Sequence, residues 1–98
     1  MYFKQIKGKD LEDNLEYFNI VDVRTKEEFD QGHVKGAINI PYDEIVDRIE
    51  EISKDKPLVL YCRTNNRSEF AATLLMQAGL SNIIIAPGVG LYEYDFVK

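Results

Sequence analysis

Ninety-eight residues are enough for one compact domain burying roughly 60–65% of its unfolded surface and too few for two, so residues 1–98 are expected to form a single domain. Apolar residues make up 45% and charged residues 30%, with no repeat or biased stretch, which excludes disordered, fibrous and solenoid classes. A net charge of −5 lacks the clustered cationic field that phosphate backbones demand, so no nucleic-acid partner is expected.

The single cysteine has no partner for an internal disulfide, and the segment Met1 to Ile6 has no apolar run of the signal-peptide kind. A reducing cytoplasm is the expected compartment. The longest apolar runs are far shorter than the ~20 residues that cross a bilayer, so no membrane partner is expected either.

In chain order, a weak strand is predicted at Tyr2 to Ile6 and a short helix near Asp10 to Leu15. Phe18 to Val23 is β-branched and aromatic throughout most of its length, the pattern of a strand buried on both faces. Thr25-Lys26-Glu27-Glu28 matches a capping box, which starts a helix over Lys26 to Gln31, and Gly32 sits where that helix ends. A second weak strand is placed at Ala37 to Ile40. Ile45, Val46, Ile49 and Ile52 share one helical face. Leu58 to Cys62 reads as another doubly buried strand, followed by a helix with Asn66 as its N-cap. Phe70, Ala71, Leu74, Leu75 and Ala78 form the apolar face of that helix, which ends at Gly79. A last buried strand at Ile83 to Ala86 precedes a short helix near Leu91 to Tyr94. Strands alternating with helices imply a parallel sheet, so the fold class is α/β, with helices on both faces of a five-stranded sheet in three layers, α/β/α.

The chemistry concentrates at Cys62. It closes a buried strand, and the loop and helix that follow direct amide N–H groups and a positive helix end into the crevice where open parallel sheets bind ligands. An isolated cysteine is ordinarily a small buried hydrophobe. Here the anion-attracting position, with Arg63 and Arg67 flanking it, favours the reactive thiolate and makes Cys62 the candidate nucleophile.

At this point the chain resembles the rhodanese-like sulfurtransferases. Cys62-Arg63-Thr64-Asn65-Asn66-Arg67-Ser68 is similar to their active-site loop, and Asp22-Val23-Arg24, Gly32-His33-Val34-Lys35-Gly36-Ala37 and Ile38-Asn39-Ile40-Pro41 fit the family in order. The resemblance implies a parallel sheet in order 3-2-4-5-1, with Cys62 on the central strand. It implies two-step sulfur transfer. The Cys62 thiolate takes the outer sulfur of thiosulfate, a persulfide or a polysulfide and becomes a persulfide, then passes that sulfur to cyanide, a thiol or a protein cysteine. No metal or organic cofactor is implied. Residues Arg63, Thr64, Asn65, Asn66, Arg67 and Ser68 are then the substrate-binding loop, and the small anionic donor calls for its two arginines.

Four residues separate Cys62 from Arg67, whereas phosphatases that resemble this fold carry five. The shorter ring suits one sulfur atom rather than a phosphoryl group. A phosphatase or arsenate reductase, and a module that only binds or senses redox state, are the alternatives. Asp22, Arg24 and Glu28 read as a supporting strand-to-helix junction, and His33 as a loop tether through hydrogen bonds rather than a base. Arg67 either faces the pocket or pairs with a neighbouring acid such as Asp22, while Arg63 points to solvent and steers the donor. The sequence departs from the family at Asn65, where glycine is usual and where asparagine tolerates a left-handed backbone. It departs again at Val89, which stands in a usual glycine pair, and at Tyr94, where tryptophan is usual. Tyr92, Tyr94 and Phe96 read as packing, and Asp43, Asp47, Glu50 and Glu51 as a solvated helix face.

Overall fold

The computed structural model describes residues 3–98. Its strands are β1 Lys4–Gln5, β2 Asn19–Asp22, β3 His33–Val34, β4 Ile38–Asn39, β5 Leu58–Tyr61, β6 Ile83–Ile85 and β7 Phe96–Val97. Its α-helices are α1 Gly8–Glu12, α2 Lys26–Asp30 and α3 Asn66–Gln77. Five strands lie in the order β1-β6-β5-β2-β4, and every pairing among them is parallel. Counting only these five along the chain and reading from the β4 edge, the order is the 3-2-4-5-1 that the resemblance implied. Tyr2, expected to open the first strand, lies outside the described residues.

The continuous apolar runs of β2, β5 and β6 follow from burial on both faces. On β5, Leu58 and Leu60 turn with Cys62 into one core, which Ala71, Ala72 and Leu75 of α3 cover. Val59 and Tyr61 turn into the other, against Leu11 of α1 and Tyr94. This alternation of the pleat decides that Cys62 ends on the α3 side of the sheet. Two alanines at the contact let α3 lie close to β5, so that the helix start meets the strand end.

Four expectations are corrected. Residues 42–51 form two 3₁₀ turns, Tyr42–Glu44 and Ile49–Glu51, rather than one helix. Ile45 and Ile52 are buried as expected, but Val46 is 43% exposed. The segment is rich in β-branched side chains, which lose rotamer freedom in a regular helix and weaken it. In α3 the buried positions are Ser68, Ala71, Ala72 and Leu75, an i, i+3, i+4, i+7 stripe. Phe70 is 52% exposed and lies edge-on to Tyr42, and Ala78 is exposed beyond the stripe. The segment Leu91 to Tyr94 is irregular, because the Leu91 and Tyr92 N–H groups both donate to the Gly88 carbonyl in a tight turn. The chain then returns as β7, which pairs antiparallel with β3 in a separate two-stranded ribbon. Helix α1 also starts earlier than Asp10, at Gly8, and a 3₁₀ turn at Leu15–Tyr17 follows it. No helix among the described residues is long and apolar enough to cross a membrane.

Candidate active site

β5 ends at Tyr61, and Cys62 follows at the carboxyl edge of the sheet, 1% exposed. The loop after it doubles back at once. Asn65 takes a left-handed conformation with φ of 78° and serves as the N-cap of α3, so the cap is Asn65 and not the expected Asn66. That turn aims the Asn65 N–H at the Cys62 sulfur at 3.0 Å, and the Ser68 N–H reaches the same atom at 3.4 Å. They are the N-cap and N3 amides of α3, at the helix start where the N–H groups have no helical carbonyl to bond and carry the positive end of the dipole. As a thiol, Cys62 donates to Ser68 Oγ at 3.4 Å, and the Ser68 hydroxyl donates to the Asn65 carbonyl at 2.9 Å. The sulfur therefore sits on a floor of backbone N–H donors.

A second loop fastens this one. After β6, Val89 N–H donates to the Cys62 carbonyl at 2.9 Å and Gly90 N–H to the Arg63 carbonyl at 2.8 Å. Gly88 N–H donates to Asn65 Oδ1 at 2.8 Å. A side chain on Gly88 would overlap the Arg63 carbonyl, so the two loops approach this closely only because residue 88 is glycine. Gly88 was not singled out from sequence. The run Pro87-Gly88-Val89-Gly90 just past a buried strand is the signal that points to it.

The charged residues sort into two pairs. Arg24 is buried and clamps Asp22: its Nε lies 3.0 and 2.9 Å from the two carboxylate oxygens, and its Nη2 2.6 Å from Oδ2. The same Nη2 donates to the Gly32 carbonyl at 2.7 Å, and the guanidinium lies over the Tyr61 and Phe96 rings. Asp22 is thus fully engaged. Arg67 therefore does not pair with Asp22, as one sequence reading had it, and reaches Glu28 at 3.0 and 3.3 Å instead. This hydrogen-bonded guanidinium holds the Glu28 carboxyl well below the usual range, down to about 2, with burial opposing and Thr25 assisting. Its partner Arg67 is pushed up, chiefly by the hydrogen bond to Glu28.

Of the remaining expected site residues, Arg63, Thr64 and Asn66 are exposed around the loop. Arg63 makes no ion pair among the described residues. His33 is held elsewhere. Its Nδ1 bonds the Phe29 carbonyl at 3.0 Å and its ring stacks on Phe29 at 3.7 Å, with no hydrogen bond to the cysteine loop. Val89 is half-buried. It walls a cleft of about 370 Å³ with Arg24, Glu28, Gln31, Arg63 and Phe96. A separate cavity of about 620 Å³ runs along the β2–β4 edge past Phe18, Ile20, Ile38 and Ile52, and none of the expected site residues lines it.

Comparison with known proteins bears on the same region. The model of the Rhodanese-like domain family matches residues 7–90. A crystal structure of a rhodanese-related protein from Thermoplasma volcanium superposes with a TM-score of 0.86 at 30% identity, over 97% of this chain and 98% of that one. Thiosulfate sulfurtransferase PspE of Escherichia coli (strain K12) is 37% identical over 71 residues, 70% of this chain and 68% of that protein. YqhL of Bacillus subtilis (strain 168) is 44% identical over 64 residues, 65% of this chain and 51% of that protein. The chain spans about half the length of the Bacillus subtilis relatives it matches.

Proposed function

The chain belongs to the rhodanese-like domain family, and from that premise we propose that it is one such domain acting as a sulfurtransferase, with Cys62 carrying the sulfur as a persulfide. One observation supports the reading: two N–H groups at the start of α3, those of its N-cap Asn65 and of Ser68, converge on the Cys62 sulfur at 3.0 and 3.4 Å. Relatives named thiosulfate sulfurtransferase support the activity class.

The thiolate attacks the outer sulfur of thiosulfate. A new S–S bond forms to Cys62 as the S–S bond of the donor breaks, and sulfite leaves with the electron pair. An acceptor nucleophile, whether cyanide, a small thiol or a protein cysteine, then attacks that outer sulfur, and the Cys62 thiolate departs. Sulfite and thiolates are good leaving groups, so neither step requires a general acid, and His33 is not needed as one. Arg63, exposed and unpaired among the described residues, steers the anionic donor. Arg67 supplies positive charge beside the sulfur from its bracket on Glu28. The compartment proposed is the cytoplasm, where a lone thiol stays reduced.

Intact mass spectrometry after incubation with thiosulfate tests the reading. The chain should gain one sulfur atom and lose it to cyanide, and Cys62→Ser should do neither. An unchanged mass across thiosulfate, persulfide and polysulfide donors would overturn the sulfurtransferase reading and favour the binding module.

A further inference from the structure

Asn65 has four separate bonds, and they join three parts of the site. Its N–H donates to the Cys62 sulfur at 3.0 Å. Its carbonyl accepts from Ser68 Oγ and from the Glu69 N–H, both at 2.9 Å, which starts α3. Its side-chain Oδ1 accepts from the buried Gly88 N–H at 2.8 Å, which ties down the loop after β6. Glycine would satisfy the left-handed φ of 78° equally well. The backbone alone therefore does not account for asparagine. Only the side chain supplies the bond to Gly88.

We propose that Asn65 is a positioning residue whose Oδ1, by accepting the Gly88 N–H, locks the 87–90 loop to the cysteine loop and keeps the Asn65 N–H aimed at the Cys62 sulfur. The proposal rests on Cys62 being the sulfur-bearing residue. Two features make the side chain decisive. Without it the Gly88 N–H is a buried donor with no acceptor, a state that folded chains avoid by moving or by admitting water. The remaining loop-to-loop bonds, Val89 N–H to the Cys62 carbonyl and Gly90 N–H to the Arg63 carbonyl, hold the start of the cysteine loop and not its turn. The turn at Asn65 is where the N–H must point inward. A peptide plane free to rotate there withdraws its N–H from the thiolate and from the persulfide that replaces it.

The test compares Asn65→Gly, which keeps the backbone and deletes the latch, with Asn65→Asp, which keeps an acceptor at the same place. Amide exchange at Gly88 is followed by NMR and sulfur loading by single-turnover mass spectrometry with thiosulfate. Asn65→Gly should speed Gly88 exchange at least about tenfold and lower the loading rate at saturating thiosulfate by about tenfold, with KM moving less than about threefold. Asn65→Asp should keep Gly88 protected. Native exchange and native loading in Asn65→Gly would overturn the proposal, as would equal loss of Gly88 protection in both variants. If the native chain takes sulfur from no donor, the sulfurtransferase reading fails by itself. Gly88 exchange and the rate of Cys62 alkylation by iodoacetamide in Asn65→Gly then still decide the latch.

Discussion

Glu28 closes the capping box of α2 with Thr25 and, with the same carboxylate, grips the Arg67 guanidinium at 3.0 and 3.3 Å. Helix start and the Arg67 guanidinium thus share one anion. The side chain is 25% exposed, so solvent screens the pair only in part.

This arrangement has a pH signature. The folded Glu28 carboxyl titrates at about 2, against 4.5 for an ordinary glutamate, so its stabilisation is complete above the unfolded value and is lost as pH falls from 4.5 through 2. Glu28→Gln should lower stability by about 1–2 kcal/mol at pH 7 once screening is allowed for, and by almost nothing near pH 2. Urea melts of both proteins between pH 2 and 7 measure the gap. A gap independent of pH would show that the carboxylate charge contributes nothing to the bracket.

Pairing also predicts how Arg67 behaves when removed. Arg67→Ala deletes a cation whose charge is felt at Cys62 and leaves the Glu28 carboxylate without its partner, so sulfur loading should slow by about tenfold to a hundredfold. The double variant Arg67→Ala/Glu28→Gln removes the stranded anion as well and should recover part of that loss. Glu28→Gln alone should load sulfur at least as fast as the native chain. Losses that simply multiply would mean that the two residues act independently.

Much of this was legible in the sequence, and the exceptions share a cause. β2, β5 and β6 were readable because burial on both faces leaves a continuous β-branched run, and α2 because a capping box is local. The left-handed turn at Asn65 was readable because few side chains tolerate it. Arg67 and Glu28 are 39 residues apart, and the choice between Glu28 and Asp22 depended on which carboxylate Arg24 had already taken. The β3–β7 ribbon pairs strands of two residues each, too short for any periodicity to show. The run Pro87-Gly88-Val89-Gly90 marks a turn, but that Gly88 closes against the Arg63 carbonyl is a contact between two loops distant in sequence, which the run alone does not specify.

The proposed sulfurtransferase reading predicts that phosphoryl transfer is negligible. Asn65 and Ser68 N–H groups converge on the sulfur itself, and the four residues between Cys62 and Arg67 are the spacing expected to suit one sulfur atom rather than a phosphoryl group. Hydrolysis of p-nitrophenyl phosphate by the native chain should be indistinguishable from that by Cys62→Ser. Turnover well above that control would place the chain with the phosphatases.

Two glycines provide the sharpest separation of fold from function, because each is needed for a different reason. Gly79 follows α3 with φ of 100°, and a side chain there would meet nothing within 4 Å. Gly79→Ala therefore strains only the backbone and should cost about 1 kcal/mol, a few degrees in Tm, without slowing sulfur loading. Gly88 has no left-handed φ, but its added methyl would overlap the Arg63 carbonyl and the Thr64 amide, which are backbone and cannot rotate aside. The clash must push the two loops apart, at a cost of about 1–3 kcal/mol. Because those loops hold the Asn65 N–H on the Cys62 sulfur, Gly88→Ala should also slow loading by thiosulfate at least about tenfold. Melting curves and single-turnover loading on the same samples compare the two. A stability loss in both variants, with loading impaired only in Gly88→Ala, is the outcome expected of a loop clamp. Loading that tracks stability alike in both variants would reduce Gly88 to a packing position.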